Sequence, residues 1–177
     1  ERGVEKTMET FILPTLALTR HEFLLQRLTK EENDAIHESI EHTLEAIATA
    51  KAATEANTPD ASKKPSEPPA ASDHKEEGNR RIAIFARALH GKDDELALRS
   101  LAVSLPEPIE MRISKQPHLI GELIQEIENH KPDLICISAM PPEAVPSAVI
   151  LCRRIRSRLP NLKILVCHWT LPGEEYD

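Results

Sequence analysis

Apolar positions along the chain follow two different periods, separated by a stretch with almost none. Over residues 1–56 they recur at intervals of three and four, first as Met8, Phe11, Ile12 and Leu16, then as Ile36, Ile40, Leu44 and Ile47. That spacing lines one side of a helix, so a small helical module is expected here. Pro14 lacks an amide proton and crowds the carbonyl four residues back, which predicts a kink or a helix restart near Leu13. A second helix through Phe23, Leu24 and Leu28 is expected to follow. Thr29 and Glu32 have the spacing of a capping box, which opens the next helix ahead of the Ile36 stripe.

After residue 80 the pattern alternates between short apolar runs and longer amphipathic segments. "RIAIFA" (81–86), "IEMRI" (109–113), "DLICIS" (133–138) and "LKILVC" (162–167) read as four strands. "DDELALRSLAVSL" (93–105), "QPHLIGELIQEIENH" (116–130), with Pro117 near its start, and "PEAVPSAVILCRRIRSRL" (142–159) read as the intervening helices. The first, third and fourth strands are apolar on both faces, as in a parallel sheet covered by helices on each side. Right-handed crossovers then give an α/β, flavodoxin-like sheet of order 2-1-3-4. A fifth strand and its helix would have to lie beyond these residues or be absent from the fold.

The segment between the two regimes, residues 57–79, is rich in Pro, Ser and Ala and cannot bury enough surface to offset its ordering entropy, so it is expected to be a flexible linker. The expected divisions are a helical module (1–56), the linker (57–79), an α/β module (80–172) and a tail (173–177). A few short helices make a thin core, so the helical module is expected to pack against another part of a parent protein or against a second copy, which makes it a candidate for homo-oligomer formation.

Charge and composition narrow the function classes. A net charge of −7 and 3% aromatic residues argue against a nucleic-acid surface. No run approaches the roughly 20 apolar residues of a membrane span, so this piece is expected to be soluble. Cys136, Cys152 and Cys167 are odd in number and set in apolar runs, which points to buried thiols in a reducing compartment rather than disulfides or a metal site. His21, His37 and His42 are expected at the surface. The chain opens on Glu1 and not on methionine, and reads as a piece of something longer.

Any ligand chemistry should gather where the strand order reverses, at the carboxyl rim of the first and third strands. Loops 86–92, 138–143 and 168–172 meet there, bringing His90, Gly91, Ser138, Met140, His168 and Trp169 as candidate ligand-binding residues. Phosphotransfer is excluded, because Ala86, Arg87 and Ser138 stand where acidic residues would be needed. Only Gly91 follows the first strand, too few glycines for a pyrophosphate, and no Walker-type lysine loop is present. Ser138 with His90 or His168 as base is geometrically conceivable, but no acidic orienter and no nucleophile elbow accompanies them. No catalytic residue and no cofactor is therefore assigned. On the third helix, Arg153, Arg154, Arg156 and Arg158 form a basic face and end, opposite the stripe Val145, Val149, Cys152, Ile155 and Leu159. A helix C-terminus suits cations, so a solvated face is the plain reading; an acidic partner or anionic headgroups is the sharper one.

Two resemblances bear on these residues. Ala88-Leu89-His90-Gly91-Lys92-Asp93, Ser138-Ala139-Met140 and Cys167-His168-Trp169 are similar in layout to cobalamin-binding domains, whose loop after strand one reads Asp-x-His-x-x-Gly, followed by Ser-x-Leu and Gly-Gly at later strands. The departures imply a degenerate version: Ala88 removes the carboxylate that would orient the histidine, Asp93 replaces the glycine, and the rings of His168 and Trp169 would fill the cleft for the nucleotide tail. His90 then reads as a loop or capping histidine.

Leu13-Pro14, Leu16, Leu18, Leu28, Glu31 and Glu32, together with Leu151, Arg153, Arg154, Arg156, Arg158, Leu159, Pro160 and Val166 to Trp169, resemble the cytoplasmic C-terminal extension of long members of the autoinducer-2 exporter-like permease family. The similar stretches cover about half the chain and exclude the linker. The resemblance implies a non-catalytic regulatory or interaction region on the cytoplasmic side of the inner membrane, partnered by the remainder of a membrane-embedded protein. The alternative is a small-molecule sensor that binds a cobalamin or a nucleotide at the rim.

Overall fold

The computed structural model describes residues 2–56, 81–114, 119–141 and 144–169. The expected linker and tail lie outside these residues, as does Pro117. The elements in chain order are α1 (Arg2–Thr7), a π-helical turn (Met8–Ile12), α2 (Leu13–Leu24), α3 (Lys30–Ala56), β1 (Ile82–Ala88), α4 (Gly91–Ser104), β2 (Ile109–Ile113), α5 (Ile120–His130), β3 (Leu134–Ala139), α6 (Ala144–Arg158) and β4 (Lys163–His168). The four strands form one parallel sheet in the order β2-β1-β3-β4, the flavodoxin-like arrangement expected from the alternating pattern.

The restart expected near Leu13 is present as a change of helix type, with α2 beginning at Leu13 and Pro14 in its first turn. The π-helical turn lies just before it, and Thr7, Ile12 and Leu13 all keep helical dihedral angles. The wider turn accommodates the hydrogen bond that Pro14 cannot donate while the chain stays helical. The expected second helix through Leu28 does not form: Phe23 and Leu24 close α2, and a turn with Gln26 at a φ of 57° leads into α3. The capping box is present, with the Thr29 amide donating to Glu32 Oε2 at 2.8 Å and the Glu32 amide donating to Thr29 Oγ1 at 3.2 Å.

The apolar stripe of α3 is covered within the chain. Ile40 and Leu44 are buried together with Met8, Ile12 and Leu16 of the first helices and Leu96, Ala97 and Met140 of the α/β part, with Ile36 and Ile47 at the margin. The side on which self-association was expected is thus occupied by α4. Polar contacts follow the same seam. Lys51 of α3 donates to the carbonyls of Val103 and Leu105 at 3.1 and 2.6 Å, satisfying acceptors left over where α4 ends. Glu41 meets Arg99 and Lys92, and the Arg99 hydrogen bond holds its carboxyl below the usual glutamate range.

On the opposite side of the sheet, α5 and α6 pack on Phe85, Ile135 and Ile137 through Leu123, Ile127 and Ile155. β1 and β3 are mostly buried, as their sequences require, but β4 is an edge strand. Leu165 and Val166 are 49% and 40% exposed, although the apolar character of this strand predicted helices over both faces. The inner face of α6 is also rotated from expectation. Ala144, Ala148 and Ile155 point inward, and Val145 and Val149 of the expected stripe are 49% and 43% exposed. The small Ala144 and Ala148 let the helix approach Ala139 of β3 closely, which a valine face would prevent.

Candidate functional site

The mouth of the sheet is built around Asp94, a residue on which the sequence pattern placed no weight. It lies in the first turn of α4 and is completely buried. Its Oδ1 accepts the Ser138 hydroxyl at 2.7 Å and the Met140 amide at 2.9 Å; its Oδ2 accepts the His90 amide at 2.8 Å. The carboxylate therefore caps the start of α4 and ties the end of β3 to it, where the positive end of the helix dipole favours an anion. Burial nevertheless pushes its pKa upward, against the three hydrogen bonds that pull it down.

Ser138 is saturated as well. Its hydroxyl donates to Asp94 and accepts the indole N–H of Trp169 at 2.7 Å. This is the acidic partner for Ser138 that the sequence pattern did not reveal. It does not make a nucleophile, because the serine is fully enclosed and its hydroxyl already serves two neighbours. Met140 is buried in the cluster formed with the N-terminal helices, and Trp169 packs against its edge.

A second layer closes over this one. Asp93 accepts from His37 Nε2 at 2.7 Å and lies 3.5 Å from the Arg20 guanidinium, while Arg20 Nε donates to the Pro141 carbonyl at 2.8 Å. α2 and α3 thereby reach the loop after β3 and the start of α4, the place where a ligand would enter. His37, expected at the surface, is a buried link in this layer; His21 and His42 are exposed as expected. Nothing in the local pattern marks Arg20 or His37, whose partners lie 73 and 56 residues away in the chain.

The structure separates the candidate rim residues. Ser138, Met140 and Trp169 belong to the plug, whereas His168 alternates to the other face of β4 and lines the α6 side with Ala139 and Val166. One of the two rings expected in the mouth is therefore there and the other is not. Gly91 is the first residue of α4 at a φ of 64°, a conformation in which a side chain is strained even though the space around it is open. His90 is the residue before the helix, and its Nε2 is buried with no hydrogen-bond partner among the described residues.

These residues do not fit a cobalamin. A cobalt-ligating imidazole must present its nitrogen to the corrin, and here Nε2 is enclosed by protein. The cleft that would take the nucleotide tail is occupied by the Asp94–Ser138–Trp169 chain and by Met140. Among the described residues no group of three or more His, Cys, Asp or Glu side chains is placed to hold a metal ion, and no helix is long and apolar enough to cross a membrane. The three cysteines are free, with Cys136 and Cys167 in contact at 3.5 Å between neighbouring strands. That contact, together with burial, pushes the pKa of the Cys136 thiol upward.

The four arginines of α6 are exposed. Arg156 folds back to the carbonyls of Pro160 and Leu162 at 2.6 and 2.8 Å, so it secures the turn into β4. Arg153 and Arg154 border grooves on either side of the helix. Compared with models of known protein families and with curated proteins, the chain matches none.

Proposed function

We propose that this chain is a non-catalytic regulatory or interaction unit whose ligand mouth has been converted into an internal joint between a helical part and an α/β part. The observation that carries this reading is the occupation of the mouth by Asp94, Ser138, Met140 and Trp169, with Arg20 and His37 closing over them. A sheet of this type binds ligands where its strand order reverses, and here Asp94, Ser138 and Trp169 are paired with one another at that point, while His90 Nε2 has no partner among the described residues.

The resemblance to the cytoplasmic extension of exporter-like permeases supports placing the unit beside a membrane-embedded parent, on its cytoplasmic side. Several long apolar spans encoded upstream of Glu1 are the expected check, and a methyltransferase or DNA-binding module there would remove that placement.

The sensor reading draws on one observation, the unpaired and buried Nε2 of His90. A ligand that opened the mouth could use it. Titrating corrinoids and nucleotides while recording the melting temperature separates the two readings, because a ligand bound only by the folded state raises stability by about 2.7 kcal/mol at a hundredfold excess over Kd. An unchanged melting temperature and no corrinoid absorbance on the purified protein are expected. A saturable rise with any of these ligands would replace the interaction reading with the sensor reading.

A further inference from the structure

We infer that the gap between α5 and α6, over the carboxyl end of β1, binds a small amphipathic carboxylate of the medium-chain fatty acid class. The site lies on the face of the sheet opposite the closed mouth and goes beyond the reading of the chain as an interaction unit. Its starting point is Arg87. Side chains alternate along β1, so Arg87 shares a face with Phe85, which is buried under α5 and α6. Its register with Ile137 also places it at the junction of β1 and β3, where the strand order reverses. A charge there interrupts the otherwise apolar strand "IAIFARA", and the helices do not close over it. A cavity of about 280 Å³ remains, bounded by Arg87, by Ile120 and Leu123 of α5, and by Ile150, Leu151 and Arg154 of α6. That is close to the lower limit, roughly 300 Å³, of pockets that hold organic ligands. Ile150 is 53% exposed, an apolar wall left without cover.

Charge and volume select the ligand. Burial disfavours the charged form of Arg87, and the charge of Glu126 on α5 favours it. The Glu126 carboxylate also accepts the Ser114 hydroxyl at 3.1 Å. Among the described residues no carboxylate lies within ion-pair distance of Arg154. Two guanidinium groups against one carboxylate leave one positive charge, which a monoanion balances and a dianionic phosphate ester exceeds. A planar carboxylate also matches the forked donors of a guanidinium. Apart from Ser147 and the two arginines, the lining is aliphatic, so the body of the ligand is hydrocarbon. A nucleotide needs more room and more polar partners than these walls offer. A peptide C-terminus brings the same carboxylate, but its amides would lie unpaired against Ile120, Leu123 and Leu151.

The test titrates the whole chain with octanoate, kept below its micelle concentration, by calorimetry. Octan-1-ol, octyl phosphate and the dipeptide N-acetyl-glycyl-leucine serve as comparisons. Saturable binding of one octanoate per chain is expected, at least about tenfold tighter than any comparison compound. Arg154→Gln should weaken it about tenfold, and Ile150→Glu, which sets a like charge beside the carboxylate, should abolish it. Both positions are exposed, and an unchanged thermal melt confirms that the variants fold. Nuclear magnetic resonance locates the ligand: octanoate should shift the Arg87 Nε–H signal and leave the Trp169 indole signal in place. No saturable binding, octan-1-ol binding as tightly as octanoate, or tighter binding of octyl phosphate or the dipeptide would overturn the inference. So would binding indifferent to Arg154→Gln, or a shift at Trp169 without one at Arg87. A pocket that ignores octanoate removes only this site, whereas a mouth that binds corrinoids or nucleotides removes the functional reading itself.

Discussion

Asp94→Ala should destabilise the whole protein by about 3 kcal/mol, measured by urea denaturation at neutral pH. Three donors, the Ser138 hydroxyl and the amides of Met140 and His90, lose their acceptor in a place water does not reach. Each buried group left unpaired costs roughly 1–3 kcal/mol. Part of that sum is offset, because the variant no longer buries a carboxylate whose pKa burial has raised. Asp94→Asn should fall between wild type and alanine, since its carbonyl can serve Ser138 and Met140 while its amide faces the His90 N–H. The pH dependence follows from the same residue. With its pKa above the ordinary aspartate value of 3.8, the folded state takes up a proton there at a higher pH than the unfolded state does. Its contribution is therefore fully favourable below that value and declines as pH rises through the folded-state pKa. Wild type measured against Asp94→Asn should gain stability as the pH is lowered toward 4. A loss below about 1 kcal/mol for alanine would mean that the carboxylate does not organise the mouth.

Leu16→Ala is the second large expected effect, about 2–5 kcal/mol, because it removes a completely buried side chain between the N-terminal helices and the α/β core. What matters most is where the loss is felt. Leu16 belongs to the same cluster as Leu44 of α3, Leu96 of α4 and Met140 beyond β3, with Trp169 packed against it. Trp169 is the single tryptophan, so its fluorescence reports on the mouth while far-ultraviolet circular dichroism reports on the helices. Both transitions should coincide and move together in the variant. Helices that melt early while the Trp169 signal stays at its wild-type midpoint would show that the two parts are independent.

Much of the fold was legible in the sequence because period and polarity are local properties. The continuous apolar runs of β1 and β3 and the four-residue recurrence in α3 identify element and burial together. Thr29 and Glu32 announced the start of α3 from their spacing alone. The misreadings arise where a local pattern meets a tertiary choice. "LKILVC" has the composition of a strand covered on both faces; the expected order already placed it at an edge, but its composition does not reveal that Leu165 and Val166 stay half-exposed. Val145 and Val149 have the right period for an inner face, but the tighter packing available to Ala144 and Ala148 turns α6 away from it. The mouth was half readable. That rings and small residues converge after β1, β3 and β4 could be inferred from topology, and Trp169 does occupy it. That Asp94 would organise it could not, since an acidic pair at a helix start reads equally well as a solvated, dipole-matched turn. Nor could the layer made by Arg20 and His37, which exists only because the N-terminal helices fold back over the sheet.

Hydrogen exchange at the Trp169 indole tests the closed mouth most directly, because the chain's one indole N–H gives one unambiguous proton signal and is donated to the buried Ser138 hydroxyl at 2.7 Å. Exchange as slow as the most protected amides of β3, with a shift in that signal on Ser138→Ala, is the result this account predicts. Exchange at the rate of a free indole, unaffected by Ser138→Ala, would contradict it.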